Sequence, residues 1–294
     1  VCGSSVQFAI YTVTIDSCFE VTVTANATHY DLQALNNLPG VGDTICVVVT
    51  ILPGVQITSV NTNAPAYNSG ALDPASHVGI ANDGAILAKG GDGGVGGGFT
   101  TFGQSGEDGG DAVNLTTRTS FLNMGFIYGG GGGGASVGLG INIPIIGNLA
   151  IGAGGGGGAA LGLGGDLGSI PIPLFEAGLD AAAGTASLGG DGGALITPIA
   201  IPISGVTITV TPAVVGGDGG DFGVNGDDGF LQFNIQVSVP ILGTIFNQDF
   251  PDPPISIFPP GGLGGNAVKR NGFVVNGLPD GNYQTTNVKG VVGP

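Results

Sequence analysis

The stretch FIYGGGGGGA, residues 126–135, runs from three strand-forming residues directly into six consecutive glycines. Glycine tracts of the same kind recur at 90–98, 154–158, 189–193, 216–220 and 261–265, and the pentapeptide GGDGG occurs three times. The chain holds 62 glycines in 294 residues, whereas an average protein has only about 7% glycine. Because glycine costs about 1 kcal/mol per helical site relative to alanine, long helices are not expected. The sequence predicts an all-β, non-helical fold.

Two interpretations of the glycine tracts are open. As flexible linkers they would be solvated and rich in serine. As extended, left-handed threefold helices of the polyglycine II type, they would pack side by side and bond to neighbouring segments. The tracts contain almost no serine and strongly apolar segments separate them, which favours the packed bundle. The predicted scaffold residues are Gly129, Gly130, Gly131, Gly132, Gly133, Gly134, Gly154, Gly155, Gly156, Gly157 and Gly158.

A second repeat lies between the glycine tracts. The segments INIPIIG (141–147), IAIPISG (199–205) and VSVPILG (237–243) share a pattern of alternating Ile or Val followed by Pro-Ile-x-Gly. An apolar run, a glycine and a second apolar run predict a β-hairpin inserted into the bundle, with the glycine at a positive φ. We expect these hairpins to be apolar on both faces. Their contacts with a receptor or a neighbouring subunit are expected at Ile145, Ile203 and Ile241.

The composition divides the chain into three predicted segments. Residues 1–80 form an N-terminal β region for attachment or assembly, residues 81–265 the polyglycine-type body with its hairpins, and residues 266–294 a C-terminal strand cap. In the first segment, β-branched and aromatic residues predict strands at Val6–Ile15, Glu20–Ala25, Ile45–Leu52 and Val55–Val60. The continuous apolar run Ile45–Leu52 further predicts a strand that is buried on both faces.

The cysteines predict one disulfide and one thiol that is free or forms an intermolecular bond, with the pairing among Cys2, Cys18 and Cys46 left open. No CxxC pair or zinc-ligand spacing is present in the sequence, so we expect no zinc site. The stretch GGDGGD (216–221) matches the opening of a calcium-binding nonapeptide, but no tandem repeat follows. We expect no cofactor, with calcium as the alternative at Asp218, Asp221, Asp227 and Asp228.

The charge balance excludes several classes of function. With 5 Lys plus Arg against 21 Asp plus Glu, the net charge of −16 argues against nucleic-acid binding. The uncharged stretches 135–153 and 194–215 are interrupted by proline, so we expect no transmembrane span. The chain has 2 His and no nucleophile signature, which argues against an enzyme. Because it begins at Val1, we expect a processed product.

Three segments carry a family resemblance: NDGAILAKGGDGG (82–94), GGDAVNL (109–115) and NMGFIYGGGGGG (123–134). They resemble the glycine-rich host-recognition adhesins of tailed bacteriophages, in which asparagine–glycine and apolar-strand units lead into polyglycine tracts. The strand module at 30–60 and the closing residues 265–290 are similar as well. The resemblance implies a polyglycine II sandwich on a tail fibre or tail tip, whose loops bind a bacterial surface receptor. Aromatic residues dominate interface energies, so the implied contacts are Phe175, Phe246, Phe250 and Phe258.

Two functions from different classes follow from these observations. The first is a non-enzymatic adhesin that presents loops on a rigid scaffold. The alternative is a secreted structural subunit of an extracellular fibre, in which the apolar hairpins are contacts between copies. Both place the protein in a virion tail or outside the cell. In both it is oligomeric or part of a larger assembly with other fibre or tail subunits.

Overall fold

The computed structural model describes residues 18–96, 103–143, 147–165, 181–195, 198–203, 205–250 and 259–294. Within these ranges the chain is built from β-strands and one single-turn helix, α1 (Leu32–Leu35), which confirms the all-β, non-helical class. In this part of the chain, no helix is long and apolar enough to cross a membrane. Cys2 and the predicted strand Val6–Ile15 lie outside the described residues.

The strands are numbered in chain order. As far as residue 128 they are β1 (Phe19–Val23), β2 (Ala27–Thr28), β3 (Tyr30–Asp31), β4 (Cys46–Ile51), β5 (Gln56–Thr58), β6 (Tyr67–Asn68), β7 (His77–Asn82), β8 (Ala85–Leu87), β9 (Val113–Asn114), β10 (Arg118–Asn123) and β11 (Phe126–Tyr128). The later strands are β12 (Val137–Ile143), β13 (Gly147–Ala153), β14 (Ala194–Leu195), β15 (Ile199–Ile203), β16 (Val206–Val215), β17 (Phe230–Val239), β18 (Gly243–Phe250), β19 (Asn266–Lys269), β20 (Val275–Asn276), β21 (Gly281–Gln284) and β22 (Val288–Gly293).

Successive passes of the chain stack on one another to form two parallel sheets. Each of the first three passes contributes three successive strands, which pair with the corresponding strands of the next pass. The first pass is β1, β2 and β3, the second is β4, β5 and β6, and the third is β7, β8 and β9. One sheet has the order β1-β4-β7-β10-β20. The other has the order β2-β5-β8-β11-β22-β19-β9-β6-β3, with β21 antiparallel to β22. We call strands β1–β11 and β19–β22 the strand stack.

The register of the strand stack places aliphatic side chains of successive passes above one another. Ile86 lies in register between Ile57 and Ile127, and Val49 is in register with Ile80. All five side chains are buried in one core. Full burial of such a side chain contributes about 1.5–3 kcal/mol, so these ladders hold the passes together.

The strand predicted to be buried on both faces is buried on one. In β4 the side chains alternate: Val47 and Val49 are fully buried, whereas Val48 is 40% exposed. The prediction was wrong because only one face of this parallel sheet lies against the core. Successive side chains of a strand point to opposite faces, so the second face stays open to solvent.

An asparagine–glycine corner joins the first sheet to the second in two successive passes. Asn82 and Asn123 end β7 and β10 in register, and Asn82 Nδ2 donates to Asn123 Oδ1 at 2.7 Å. Asn82 Oδ1 accepts the Gly84 N–H at 3.2 Å. A Cβ on Gly84 would overlap the carbonyl oxygen of Val55 in the pass below. The stacking of passes therefore requires glycine at this corner.

The C-terminal strands complete the strand stack. Strand β22 lies between β11 and β19, and β20 pairs with β10. Strands from residues 1–80, 81–265 and 266–294 therefore share the two parallel sheets. The proposed division of the chain at residues 80 and 265 stays a prediction.

The glycine-rich residues are two insertions into the strand stack. Residues 88–112 connect β8 to β9, and residues 129–265 connect β11 to β19. We call these two insertions the glycine body; it includes the hairpins. Every glycine of Gly129–Gly134 and Gly154–Gly158 is buried.

The central tract, residues 130–135, donates hydrogen bonds to three neighbouring segments in rotation. The donor–acceptor pairs of backbone N–H and carbonyl groups are Gly130–Gly110, Gly131–Ala159, Gly132–Val224, Gly133–Glu107, Gly134–Gly156 and Ala135–Asp227. Every third N–H group therefore returns to the same neighbouring segment.

The carbonyl oxygens of the same tract accept with the same period. The acceptor–donor pairs are Gly130–Gly265, Gly131–Gly91, Gly132–Gly220, Gly133–Gly262, Gly134–Gly94 and Ala135–Gly217. The central tract thus bonds to six surrounding segments and makes no bond within itself.

No side chain fits between these segments. A Cβ on Gly131 would overlap the carbonyl oxygen of Gly220, and a Cβ on Gly134 would overlap that of Gly217. A Cβ on Gly155 would in turn overlap the carbonyl oxygen of Gly134. Glycine is therefore a steric requirement in the tracts, which contradicts a solvated linker.

The three repeats predicted as hairpins are hairpins. The antiparallel pairs β12–β13, β15–β16 and β17–β18 coincide with them. Gly205 and Gly243 have φ values of +85° and +73°, as predicted for the turns. The order β14-β16-β17-β18, with β15 also paired to β16, forms one sheet, which we call the hairpin sheet.

Replacing Gly131 with alanine is expected to destabilise the protein by about 1–3 kcal/mol, because the new Cβ forces the tracts apart. Gly79→Ala is the control, since a Cβ there meets its nearest neighbour, the carbonyl oxygen of Val47, at 3.9 Å. Thermal unfolding compares the two variants with the unaltered chain. Equal midpoints for both variants would contradict the packed arrangement of the tracts.

Cys18 and Cys46 form a disulfide between the starts of β1 and β4, 28 residues apart in sequence. Closing a loop of this length in the unfolded chain is expected to stabilise the fold by about 2–4 kcal/mol. The double variant Cys18→Ser and Cys46→Ser should lose this amount in urea unfolding. The unaltered protein in reducing agent should match the double variant. Identical urea unfolding of the unaltered protein with and without reductant would contradict a stabilising disulfide.

Candidate functional site

The β17–β18 hairpin ends in exposed apolar side chains. Ile241 and Leu242, in the turn, are 93% and 73% exposed. Ile245 and Phe246, at the start of β18, are exposed as well. We call these four residues the apolar tip. A contiguous exposed apolar patch of this kind marks an interaction site.

The base of the same hairpin is buried in protein. Leu231 and Phe233 of β17 are buried, as are Val210 and Val214 of β16. Val214 and Leu231 lie directly opposite each other in the register. The hairpin is therefore fixed at one end, and its apolar tip is held out from that base.

The hairpin sheet is apolar on one face only, which corrects the expectation of two apolar faces. On the opposite face, polar side chains form in-register rows across β16, β17 and β18. The rows are Thr207–Ser238–Thr244, Thr209–Gln236–Asn247 and Thr211–Asn234–Asp249. The alternation VTITVT (206–211) and FNIQVS (233–238) produces them, because neighbouring side chains point to opposite faces. We call these rows the polar face.

The positive charges lie away from the hairpins in sequence, since the chain has no Lys or Arg between Arg118 and Lys269. Lys269 pairs with Asp111 at 3.3 Å, and Lys289 lies over the Tyr128 ring at 5.3 Å from its centroid. The hairpin sheet is therefore free of positive charge, so phosphate or carboxylate groups find no counter-charge on it.

The aspartates considered as calcium ligands bond to neighbouring glycine tracts. Asp218 Oδ1 accepts the Gly192 N–H at 2.7 Å, and Asp228 Oδ1 accepts the Gly261 N–H at 3.0 Å. Asp221 accepts from Gly189 in the same way. These exposed carboxylates satisfy N–H groups at the surface of the bundle.

An open acidic cavity of about 370 Å³ is lined by Asp191, Asp218, Asp221 and Asp227. In the part of the chain that the structure describes, no group of three or more His, Cys, Asp or Glu side chains is arranged to hold a metal ion. Calcium binding at Asp218, Asp221, Asp227 and Asp228 stays a prediction.

The titratable groups with shifted pKa values lie in the strand stack. Burial raises the pKa of Tyr67 and of Tyr128 above the usual value. Backbone N–H donors lower the pKa of Asp73. His77 Nε2 lies 3.3 Å from Ser120 Oγ across β7 and β10. The three pKa shifts have local structural causes, namely burial for the two tyrosines and backbone hydrogen bonds for Asp73.

The predicted contact residues fall into three sets. Ile241 and Phe246 belong to the apolar tip. Ile203 lies in β15 and Phe250 ends β18. Ile145, Phe175 and Phe258 lie outside the described residues.

Leu242, Ile245 and the polar face were missed by the sequence analysis. Leu242 stands directly before Gly243 in the third repeat, so the turn assignment contained the signal for its exposure. The polar face was visible as the alternation of Thr, Asn, Gln and Ser with aliphatic residues along β16 and β17.

A sequence profile of the family described as phage tail fibre adhesin Gp38 matches residues 18–288. Among solved structures, the gp37–gp38 adhesin tip complex of the bacteriophage S16 long tail fibre is similar, with 20% identity and a TM-score of 0.48. That match covers 93% of this chain and 81% of the other. The search of curated proteins gave no match. The profile match spans nearly the whole chain, and the protein therefore belongs to the phage tail fibre adhesin Gp38 family, which places it in the virion tail.

Proposed function

We propose that this adhesin binds a bacterial surface receptor through its apolar tip, which a rigid polyglycine II bundle holds in place. The observation that carries the proposal is the near-complete exposure of Ile241 on a hairpin whose base is buried. A tip that is already ordered before binding loses less conformational entropy when it binds the receptor.

The polyglycine II assignment is supported by the hydrogen bonds of the central tract. A polyglycine II helix has about three residues per turn and no internal hydrogen bonds, so successive groups point to different neighbours. Both the donors and the acceptors of residues 130–135 follow a period of three. Each segment in such a bundle needs neighbours on all sides, and the resulting scaffold resists bending.

The affinity comes from apolar and aromatic contact in this proposal. Burying Ile241 against a receptor would contribute about 1.5–3 kcal/mol before the cost of association, because its side chain is almost fully exposed. Leu242, Ile245 and Phe246 would contribute less each, in proportion to the area that they still expose. We propose that Ile145, Ile203, Phe175, Phe250 and Phe258 also contribute receptor or assembly contacts.

The mechanism is binding alone, without a chemical step or a cofactor. The aspartates at 218, 221, 227 and 228 stabilise the bundle or line its acidic cavity in this account. As a tail fibre adhesin, the protein acts within an assembly, and we propose other tail fibre subunits as its partners. The strand stack, to which residues 1–80 contribute strands β1–β6, would supply that attachment.

Ile245→Asp tests the apolar tip, with Leu122→Asp in β10 as the matched control. The two side chains are 57% and 60% exposed, so both changes place a charge on an exposed apolar site. We expect Ile245→Asp to weaken binding of labelled protein to host cells about 30-fold, as for a central contact worth about 2 kcal/mol. Leu122→Asp should bind like the unaltered protein.

Equal cell binding by the two variants would contradict the receptor role of the tip. Sedimentation of the same proteins shows whether the tip instead contacts another copy of the chain. A shift to smaller species in Ile245→Asp alone would assign the tip to assembly, whereas an unchanged distribution with lost cell binding supports the receptor contact.

A further inference from the structure

We propose that the polar face of the hairpin sheet is a second binding surface, and that its ligand is an uncharged polysaccharide chain. The proposal extends the receptor-binding role, since it uses the same sheet but the opposite face from Phe246. Its basis is the three in-register rows of hydroxyl, carboxamide and carboxylate side chains across β16, β17 and β18.

The polar face is accessible and nearly uncharged. None of its nine side chains is buried, and Thr211, Thr244, Asn247 and Asp249 are exposed. Asp249 carries the one charge among the nine. Solvent-facing strands commonly carry lysine, which prevents pairing with other chains. Here the corresponding positions are hydroxyl and amide groups, which hydrogen-bond without attracting ions.

Hydrogen bonds between the rows fix the orientation of these groups. Asn234 Nδ2 donates to Asn247 Oδ1 at 2.8 Å and to Asp249 Oδ1 at 2.9 Å. Gln236 Nε2 donates to Thr244 Oγ1 at 3.0 Å. Among the described residues, Asn247 Nδ2 and Gln236 Oε1 have no protein partner. A donor and an acceptor are therefore held in place for a ligand.

The size and chemistry of the polar face fit a chain of sugars. Rows two residues apart are about 6.8 Å apart and neighbouring strands about 4.8 Å apart, so three rows on three strands cover roughly 14 by 10 Å. A flat lattice of neutral donors and acceptors matches repeated sugar hydroxyls. Phosphorylated or acidic sugars would need the cations that residues 119–268 lack.

Calorimetric titration of the full chain tests this proposal. The probes are bacterial polysaccharides without charged sugars, released from lipopolysaccharide by mild acid and freed of lipid. We expect binding that does not change with salt concentration, since no ion pair forms. Asn247→Ala and Thr244→Ala should each weaken it about three- to tenfold through loss of hydrogen bonds. Gln248→Ala is the control, because Gln248 is exposed and points to the opposite face.

The proposal is overturned if the unaltered protein binds none of these polysaccharides, or if Gln248→Ala weakens binding as much as Asn247→Ala. Binding restricted to acidic polysaccharides and lost in salt would also overturn it. Thermal unfolding of each variant checks that the sheet is intact. The cell-binding result for Ile245→Asp does not depend on this titration. The two experiments can therefore reject the polar face and the apolar tip separately.

Discussion

The central glycine tract can form hydrogen bonds only with its neighbours, and the glycine body depends on this constraint. Residues 130–135 donate to three segments and accept from three others. An unpaired buried backbone group is costly, so the tract cannot be ordered unless all six surrounding segments are in place. The same geometry leaves no space for a Cβ between Gly131 and Gly220. Composition, packing and cooperativity of the glycine body therefore have one physical cause.

The remaining features of the glycine body follow from where this bonding stops. At its surface, Asp218 and Asp228 accept N–H groups that no further tract reaches, which gives the aspartate of GGDGG at 216–220 a structural role. Where the chain leaves the bundle, antiparallel pairing in the hairpins satisfies the backbone instead. A hairpin anchored on such a base presents its apolar tip in a fixed orientation.

Local patterns made much of this architecture predictable. The repeated Pro-Ile-x-Gly turns identified the hairpins, and the glycine composition identified the packed tracts. The partners of the central tract were not predictable, because Gly110, Ala159 and Val224 are brought together by bonds between backbone groups that every residue shares. The stacking of β4 on β7 was missed for a related reason, since parallel pairing joins distant strands whose alternation does not specify a partner.

Ile241 was predicted as a contact from its place in the third repeat, and Phe246 from the family resemblance. Leu242 and Ile245 were missed because exposure depends on how far the hairpin extends beyond its buried base. Hydrogen exchange of the backbone amides in residues 129–135 tests the account most directly. Six-fold bonding predicts that Gly130–Gly134 exchange as slowly as the strand-stack core, through global unfolding. Exchange of these glycines at the rate of an unstructured chain, with the strand stack still protected, would contradict it.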